Sequence, residues 1–157
     1  MLKQVAPSLN RESLEKRLGY SFQRRELLLL ALTHSSAAGE LAAAGAPPGV
    51  WESALGVHNE RLEFLGDAVL ALITSELLVR AFPGWSEGQL SKSRARLVNA
   101  GSLAEAARRM ELGQHLRLGK GEERTGGREK PGLLADAFEA GVAAIYLDVG
   151  SAAARAV

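Results

Sequence analysis

The sequence predicts an all-α domain, on three grounds. Apolar residues recur at three- and four-residue spacing through long segments, most clearly over residues 59–80 and 133–147. Serine followed three residues later by glutamine or glutamate, at Ser86/Gln89 and Ser102/Glu105, marks helix starts of the capping-box kind. No stretch alternates apolar and polar residues as a half-buried strand would. With 157 residues, 46% of them apolar, the chain fits one domain that can bury a core.

The elements follow in order. Asn10 is placed to cap a short helix ending at Leu18, and residues 23–32 have the apolar density of a second helix. Over residues 37–57 the composition turns to Ala, Gly and Pro, with Pro47-Pro48-Gly49 as a breaker, so a long loop or insertion is expected there. A third helix spans 59–80 and stops at Pro83-Gly84. The two capping boxes open a fourth helix, to Val98, and a fifth, to Met110. "LGKGEERTGGREKPG", residues 118–132, reads as a Gly-rich charged loop. A last long helix covers 133–147, and "SAAARAV" reads as the end of a further one; there is no internal repeat.

Composition bounds the setting. The chain has no cysteine, which excludes disulfides and thiolate metal sites and favours a reducing compartment. Its start carries no signal-peptide-like apolar run, and no stretch approaches the roughly 20 apolar residues of a membrane span, so a cytoplasmic protein without a membrane segment is expected. Net charge is +1, but it is unevenly spread. Residues 89–130 hold ten Lys and Arg against five Glu, whereas residues 31–88 hold Arg61 and Arg80 against seven acids. Such an imbalance arises on ordinary solvated helix faces, and it also suits an acidic metal site beside a phosphate-binding surface.

The acids of the third helix are not scattered. Glu60, Glu63 and Asp67 share one narrow stripe of an otherwise apolar helix, because residues three, four and seven apart lie on one face. That helix is apolar nearly all round, which predicts burial between other helices. The last helix leaves one polar sector, occupied by Asp136 and Glu139. Carboxylates on core-seeking helices must be paired, protonated or bound to a cation, and Arg61 is the main basic residue near the first stripe. If the stripes face each other, Glu63, Asp67, Asp136 and Glu139 form a cluster that repels itself unless a divalent cation holds it or some acids stay protonated. All-oxygen ligation suits Mg²⁺ or Mn²⁺ rather than zinc. The plainer alternative is that each pair is simply solvated. His34, His58 and His115 show neither H-E-x-x-H nor Glu-x-x-His spacing, and each is taken as a satisfied structural residue.

At this point the residues resemble a known family. "NERLEFLGDAVL", residues 59–70, resembles the signature of ribonuclease III. "ALTHSS" (31–36), "FPGWSEGQLSKSRARLVN" (82–99) and "LLADAFEAGVAAIYLD" (133–148) stand in the family's order, and "LGKGEERTGGREK" resembles its Gly-rich loop. The resemblance covers residues 14–148. It implies an all-helical endonuclease domain that works as a homodimer. It also implies hydrolysis of both strands of double-stranded RNA to 5′-phosphate and 3′-hydroxyl ends with short 3′ overhangs. Processing of ribosomal RNA precursors, messenger RNA and other structured RNAs would follow. The family's four essential acids fall on Glu63, Asp67, Asp136 and Glu139, and two auxiliary acids on Glu60 and Glu87. Glu63, Asp136 and Glu139 are expected as Mg²⁺ ligands, with Asp67 completing the shell or orienting the attacking water. Phe64, away from the acids, is either core or, as the resemblance implies, a dimer contact that enters a pocket of the partner subunit.

Two departures stand out. The segment between "THSS" and "HNERLE" is longer than the family usually shows. Ribonuclease III normally continues into a double-stranded RNA-binding domain, and here the chain stops at Val157. The 157 residues therefore read as a catalytic domain with an insertion at 37–57 and no RNA-binding domain of that kind, binding RNA weakly and with strong salt sensitivity. Two rivals are a catalytically silent member of the same fold and an unrelated helical di-metal carboxylate protein. The first should lack an essential acid and the second should carry Glu-x-x-His pairs, neither of which is the case.

Overall fold

A computed structural model describes residues 11–42 and 55–156. Helices run in the order α1 (Arg11–Leu18), α2 (Arg25–Ala31), α3 (Ser35–Ala42), α4 (Glu60–Ala81), α5 (Glu87–Leu97), α6 (Ala100–Arg109), α7 (Lys120–Arg124), α8 (Pro131–Val149) and α9 (Ser151–Ala156). Single 3-10 turns lie at Leu112–His115 and Gly127–Glu129. Among the described residues the only β pairing is an isolated parallel bridge between Thr33 and Arg117. The all-helical expectation is met. No helix among these residues is long and apolar enough to cross a membrane.

The middle of the domain is α8, against which α2, α4, α6 and α9 pack. Its composition explains this position. Ala137, Ala140, Ala143 and Ala144 are fully buried, and their small side chains let neighbouring helices approach. Leu134, Val142 and Ile145 fill the space between them. Proline at the first helical position costs α8 nothing, because that N–H has no partner within a helix. At the other end, Asp148 accepts hydrogen bonds from the Tyr20 hydroxyl (2.5 Å), the Gln23 N–H (2.8 Å) and the Arg24 N–H (2.9 Å). It thereby ties the start of α2 to the end of α8 and satisfies amides that α2 leaves open.

The closest contact is between α8 and α4. A Cβ added to Gly66 would lie 1.9 Å from the Glu139 carbonyl oxygen. Only hydrogen fits there, so Gly66 sets the distance between the two helices. Leu62, Val69 and Ile73 bury the same side of α4. The opposite side is another matter. Phe64 is 82% exposed, Leu72 55% and Val79 56%. This corrects the expectation that α4 is buried all round: α8 covers one side, and Phe64, Leu72 and Val79 stand exposed on the other.

Several boundaries differ from the sequence reading for local reasons. The Ser86/Gln89 capping box forms as expected, with the Gln89 N–H donating to Ser86 Oγ (3.4 Å) and the Ser86 N–H to Gln89 Oε1 (2.9 Å). The Ser102/Glu105 box does not form. Asn99, three residues upstream of Ser102, is the cap and accepts from the Ser102 N–H at 2.9 Å. The Ser102 hydroxyl instead donates to the Arg96 carbonyl (2.8 Å). Residues 118–132 are not an open loop. They hold α7 and a 3-10 turn, organised by Arg128, whose Nη1 donates to the carbonyls of Gly113 (2.9 Å), Gln114 (3.2 Å) and Leu116 (2.8 Å). The segment 37–57, expected as a loop, begins inside α3, which runs through Ala42; Pro47-Pro48-Gly49 and the Asn10 cap lie outside the described residues.

The fold yields a paired test. Gly66→Ala must push backbone against backbone, so it should lower unfolding free energy by about 3 kcal/mol or more. Gly141→Ala, at a helical position where an added Cβ meets nothing within 4 Å, should leave stability equal or raise it by about 0.5–1 kcal/mol. Urea denaturation followed by circular dichroism measures both; equal stability of the two variants would show that Gly66 does not set the α4–α8 distance.

Candidate metal centre

The acid cluster begins with how α4 starts. Asn59 is buried, and its N–H donates to the Thr33 carbonyl at 2.8 Å while its Nδ2 donates to the Ala31 carbonyl at 3.3 Å. Its side chain is thus committed to the turn after α2 rather than to capping α4. This anchor fixes the first turn of α4, where Glu60 and Glu63 lie. Carboxylates there sit at the positive end of the helix dipole, a favourable placement.

The α4–α8 contact then brings the two stripes together. Carboxylate oxygens of Glu63, Asp136 and Glu139 all lie within 4.8 Å of one another, and each side chain is half-buried. Asp67 and Glu60 are exposed and stand outside this group, yet both act on it electrostatically. Burial and then the charges of Asp67, Glu63 and Asp136 push the Glu139 carboxyl up to about 7. Burial is also the main cause raising Glu63, followed by the charges of Asp136, Glu60 and Asp67. Burial raises Asp136 too, with His34 acting in the opposite direction and Glu60 adding to the rise. The charges that raise Glu63 and Glu139 are all those of neighbouring carboxylates.

Three converging carboxylates, with only His34 acting against the rise and only at Asp136, fit a hard divalent ion. Metal–oxygen bonds of about 2.1 Å put opposite ligand oxygens roughly 4.2 Å apart, so small side-chain rotations suffice to close the group on Mg²⁺. The absence of sulfur and imidazole from the donor set disfavours zinc.

Other expected residues are placed apart from the three ligands. Glu87 sits in the first turn of α5, accepts from the Ser91 hydroxyl (2.6 Å) and is not among the charges acting on Glu63, Asp136 or Glu139. Lys92, Arg96, Lys120 and Arg124 are exposed members of the basic segment. Arg128 and Lys130 are not available in the same way. Arg128 is spent on three carbonyls and on Glu123, and Lys130 bonds Glu122 and Thr125. His34, taken as merely structural, acts on Asp136. The signal for it was its serine two residues on, since Ser36 bonds the ring through both its amide and its hydroxyl.

Fold and site together define an α-helical domain with a candidate cation site of three half-buried carboxylates on two adjoining helices. A profile of the ribonuclease-III-like family matches residues 24–157. The chain is 48% identical over 151 residues to "Ribonuclease 3" of Ectopseudomonas mendocina, covering 96% of this chain and 58% of that protein. It is 53% identical over 137 residues to "Ribonuclease 3" of Desulforamulus reducens, covering 87% and 52%. Among solved structures, the nuclease domain of ribonuclease III from Campylobacter jejuni superimposes with a TM-score of 0.79 at 42% identity, over 94% of this chain and 90% of that one. The chain belongs to the ribonuclease-III-like family, and it spans a little over half the length of the curated relatives it matches.

A pH measurement tests the cluster. The folded-state carboxyl of Glu139 lies above its ordinary value, so its contribution to metal-free stability is full below the unfolded value of 4.5 and is lost as pH rises through about 7. Metal-free protein should therefore melt at higher temperature at pH 5.5 than at pH 8, and saturating Mg²⁺ should shrink the difference. Glu139→Gln should flatten the metal-free slope and reduce stabilisation by Mg²⁺. Scanning calorimetry across this range reads each outcome; an unchanged slope in Glu139→Gln would exclude Glu139 as its source.

Proposed function

We propose that this domain is a Mg²⁺-dependent endoribonuclease that cuts both strands of double-stranded RNA, leaving 5′-phosphate and 3′-hydroxyl ends with short 3′ overhangs. The observation that carries the reading is the convergence of Glu63, Asp136 and Glu139 on one small space within a chain of this family. Processing of ribosomal RNA precursors and other structured RNAs in the cytoplasm follows as its cellular role. Residues 1–157 are read as one catalytic domain with an insertion at 37–57.

In this reading Glu63, Asp136 and Glu139 hold Mg²⁺, and Mn²⁺ can replace it. When bound, the ion offsets phosphate charge and lowers the pKa of water. The chain's own residues do the rest. Asp67, exposed beside the three ligands and acting on Glu63 and Glu139, completes the shell or orients the attacking water. Glu60 adds negative charge next to Glu63 and Asp136, which strengthens their hold on a cation. Glu87 is assigned an auxiliary part. Lys92, Arg96, Lys120 and Arg124 supply contacts to the RNA backbone, which fix position without reading sequence. Labelled duplex RNA incubated with the protein should be cut in Mg²⁺ and left intact in chelator, and Glu139→Gln should lose at least about a hundredfold in rate at low Mg²⁺. Near-wild-type cutting by that variant at low Mg²⁺ would refute the assignment of Glu139.

We further propose that the protein is a homodimer through the exposed side of α4. Phe64, Leu72 and Val79 leave more apolar surface in water there than a lone side chain does. One solved Campylobacter jejuni structure, at 42% identity, describes flexibility in a region involved in dimer formation of its nuclease domain. Covering a phenyl ring contributes about 1.5–3 kcal/mol. Phe64→Ala should therefore raise the dissociation constant about tenfold or more, as sedimentation velocity would show. A wild-type monomer at micromolar concentration sinks the dimer.

A further inference from the structure

His34 has one ring nitrogen fixed and the other free. Its main chain is held on both sides, with its N–H donating to the Arg117 carbonyl (3.0 Å) and its carbonyl accepting from the Ala37 N–H (2.9 Å). The ring Nδ1 takes the Ser36 N–H at 3.2 Å and lies 2.8 Å from Ser36 Oγ. That hydroxyl accepts from the Gly119 N–H (2.9 Å), which leaves its own proton for Nδ1. An Nδ1 that accepts from a main-chain N–H carries no proton, so the ring proton is on Nε2. Among the described residues Nε2 has no acceptor. The neighbourhood is set by the anchor of α4: Thr33, next to His34, accepts from the N–H of Asn59, next to Glu60. The ring is also close enough to Asp136 to act electrostatically on that carboxyl.

A phosphodiester approaching this cluster meets Glu60, Glu63, Asp67, Asp136 and Glu139, all of which repel it. A rigidly held donor at the rim is the chemical complement of a phosphate oxygen, which only accepts. We propose that His34 is a positioning residue that donates its Nε2–H to a backbone phosphate oxygen of the RNA lying against the carboxylate cluster. This rests on the endonuclease reading above and deepens it. Ser36 serves by holding the ring in the donor tautomer, so two residues of "THSS" act as one unit.

The test uses the whole chain and a labelled RNA duplex. His34→Ala should lower kcat/KM by about 10–100-fold, the range of one hydrogen bond to a charged group. The melting temperature of the metal-free protein and the Mg²⁺ concentration giving half-maximal thermal stabilisation should stay as in wild type. His34→Gln, whose amide N–H can replace Nε2–H, should recover part of the loss, and Ser36→Ala should show a smaller loss in the same direction. Wild-type kcat/KM in His34→Ala would overturn the proposal. So would a several-fold shift in the Mg²⁺ midpoint, which would make His34 a support for Asp136, or a large fall in melting temperature, which would make it structural. If the wild-type chain itself cuts no duplex RNA, the endonuclease reading fails and this one with it. Wild-type cutting beside an unaffected His34→Ala confines the failure to His34.

Discussion

The contact between the backbone at Gly66 and the carbonyl of Glu139 governs the molecule. Helices normally sit 8–10 Å apart because side chains keep them there, and here one position has none. With α4 drawn onto α8, the acids beside the contact fall into register. Glu63 and Asp67 flank Gly66 on α4, and Asp136 precedes Glu139 by one turn on α8. The apolar core and the acid cluster are thus two sides of the same helix pair. Leu62, Val69 and Ile73 lie on the side that buries, and the carboxylates lie at its edge.

The acids are a burden on the fold when no cation is bound. Half-buried carboxylates raise one another's pKa, as the acids around Glu63 and Glu139 do. Elsewhere the chain pairs its charges, as in Arg17 with Glu111 at 2.7 Å and Arg128 with Glu123 at 2.7 Å. The contrast sets the cluster apart from the chain's general treatment of charge. Stability is given up at this cluster, a common arrangement at functional sites.

Much of this was legible beforehand, and the reasons are physical. Periodicity located α4 and α8 because helices of that length bury long apolar stripes, and the same periodicity put the acids on one face of each. Which stripe faces which could not be read, since it depends on Gly66 meeting a carbonyl rather than a side chain. The Ser86 cap was legible because nothing competes with it; at Ser102 a better-placed asparagine three residues earlier took over. Glycine content suggested that residues 118–132 were open, whereas Arg128 reaches three carbonyls distant in sequence and folds them. The bareness of Phe64, Leu72 and Val79 was hidden because an apolar helix face looks the same whether its own chain or another molecule covers it.

One helix has a consequence of a different order. None of the side chains of α5 is buried; the helix packs on α4 with half-buried Leu90, Ser91 and Ser93 and a hydrogen bond from Arg94 to Ser75 Oγ. Eleven residues are too few for a helix to be robust alone in water. Its order therefore depends on its packing against α4 and α6. With no side chain locked in the core, α5 should open locally, its amide protons exchanging before those of α8.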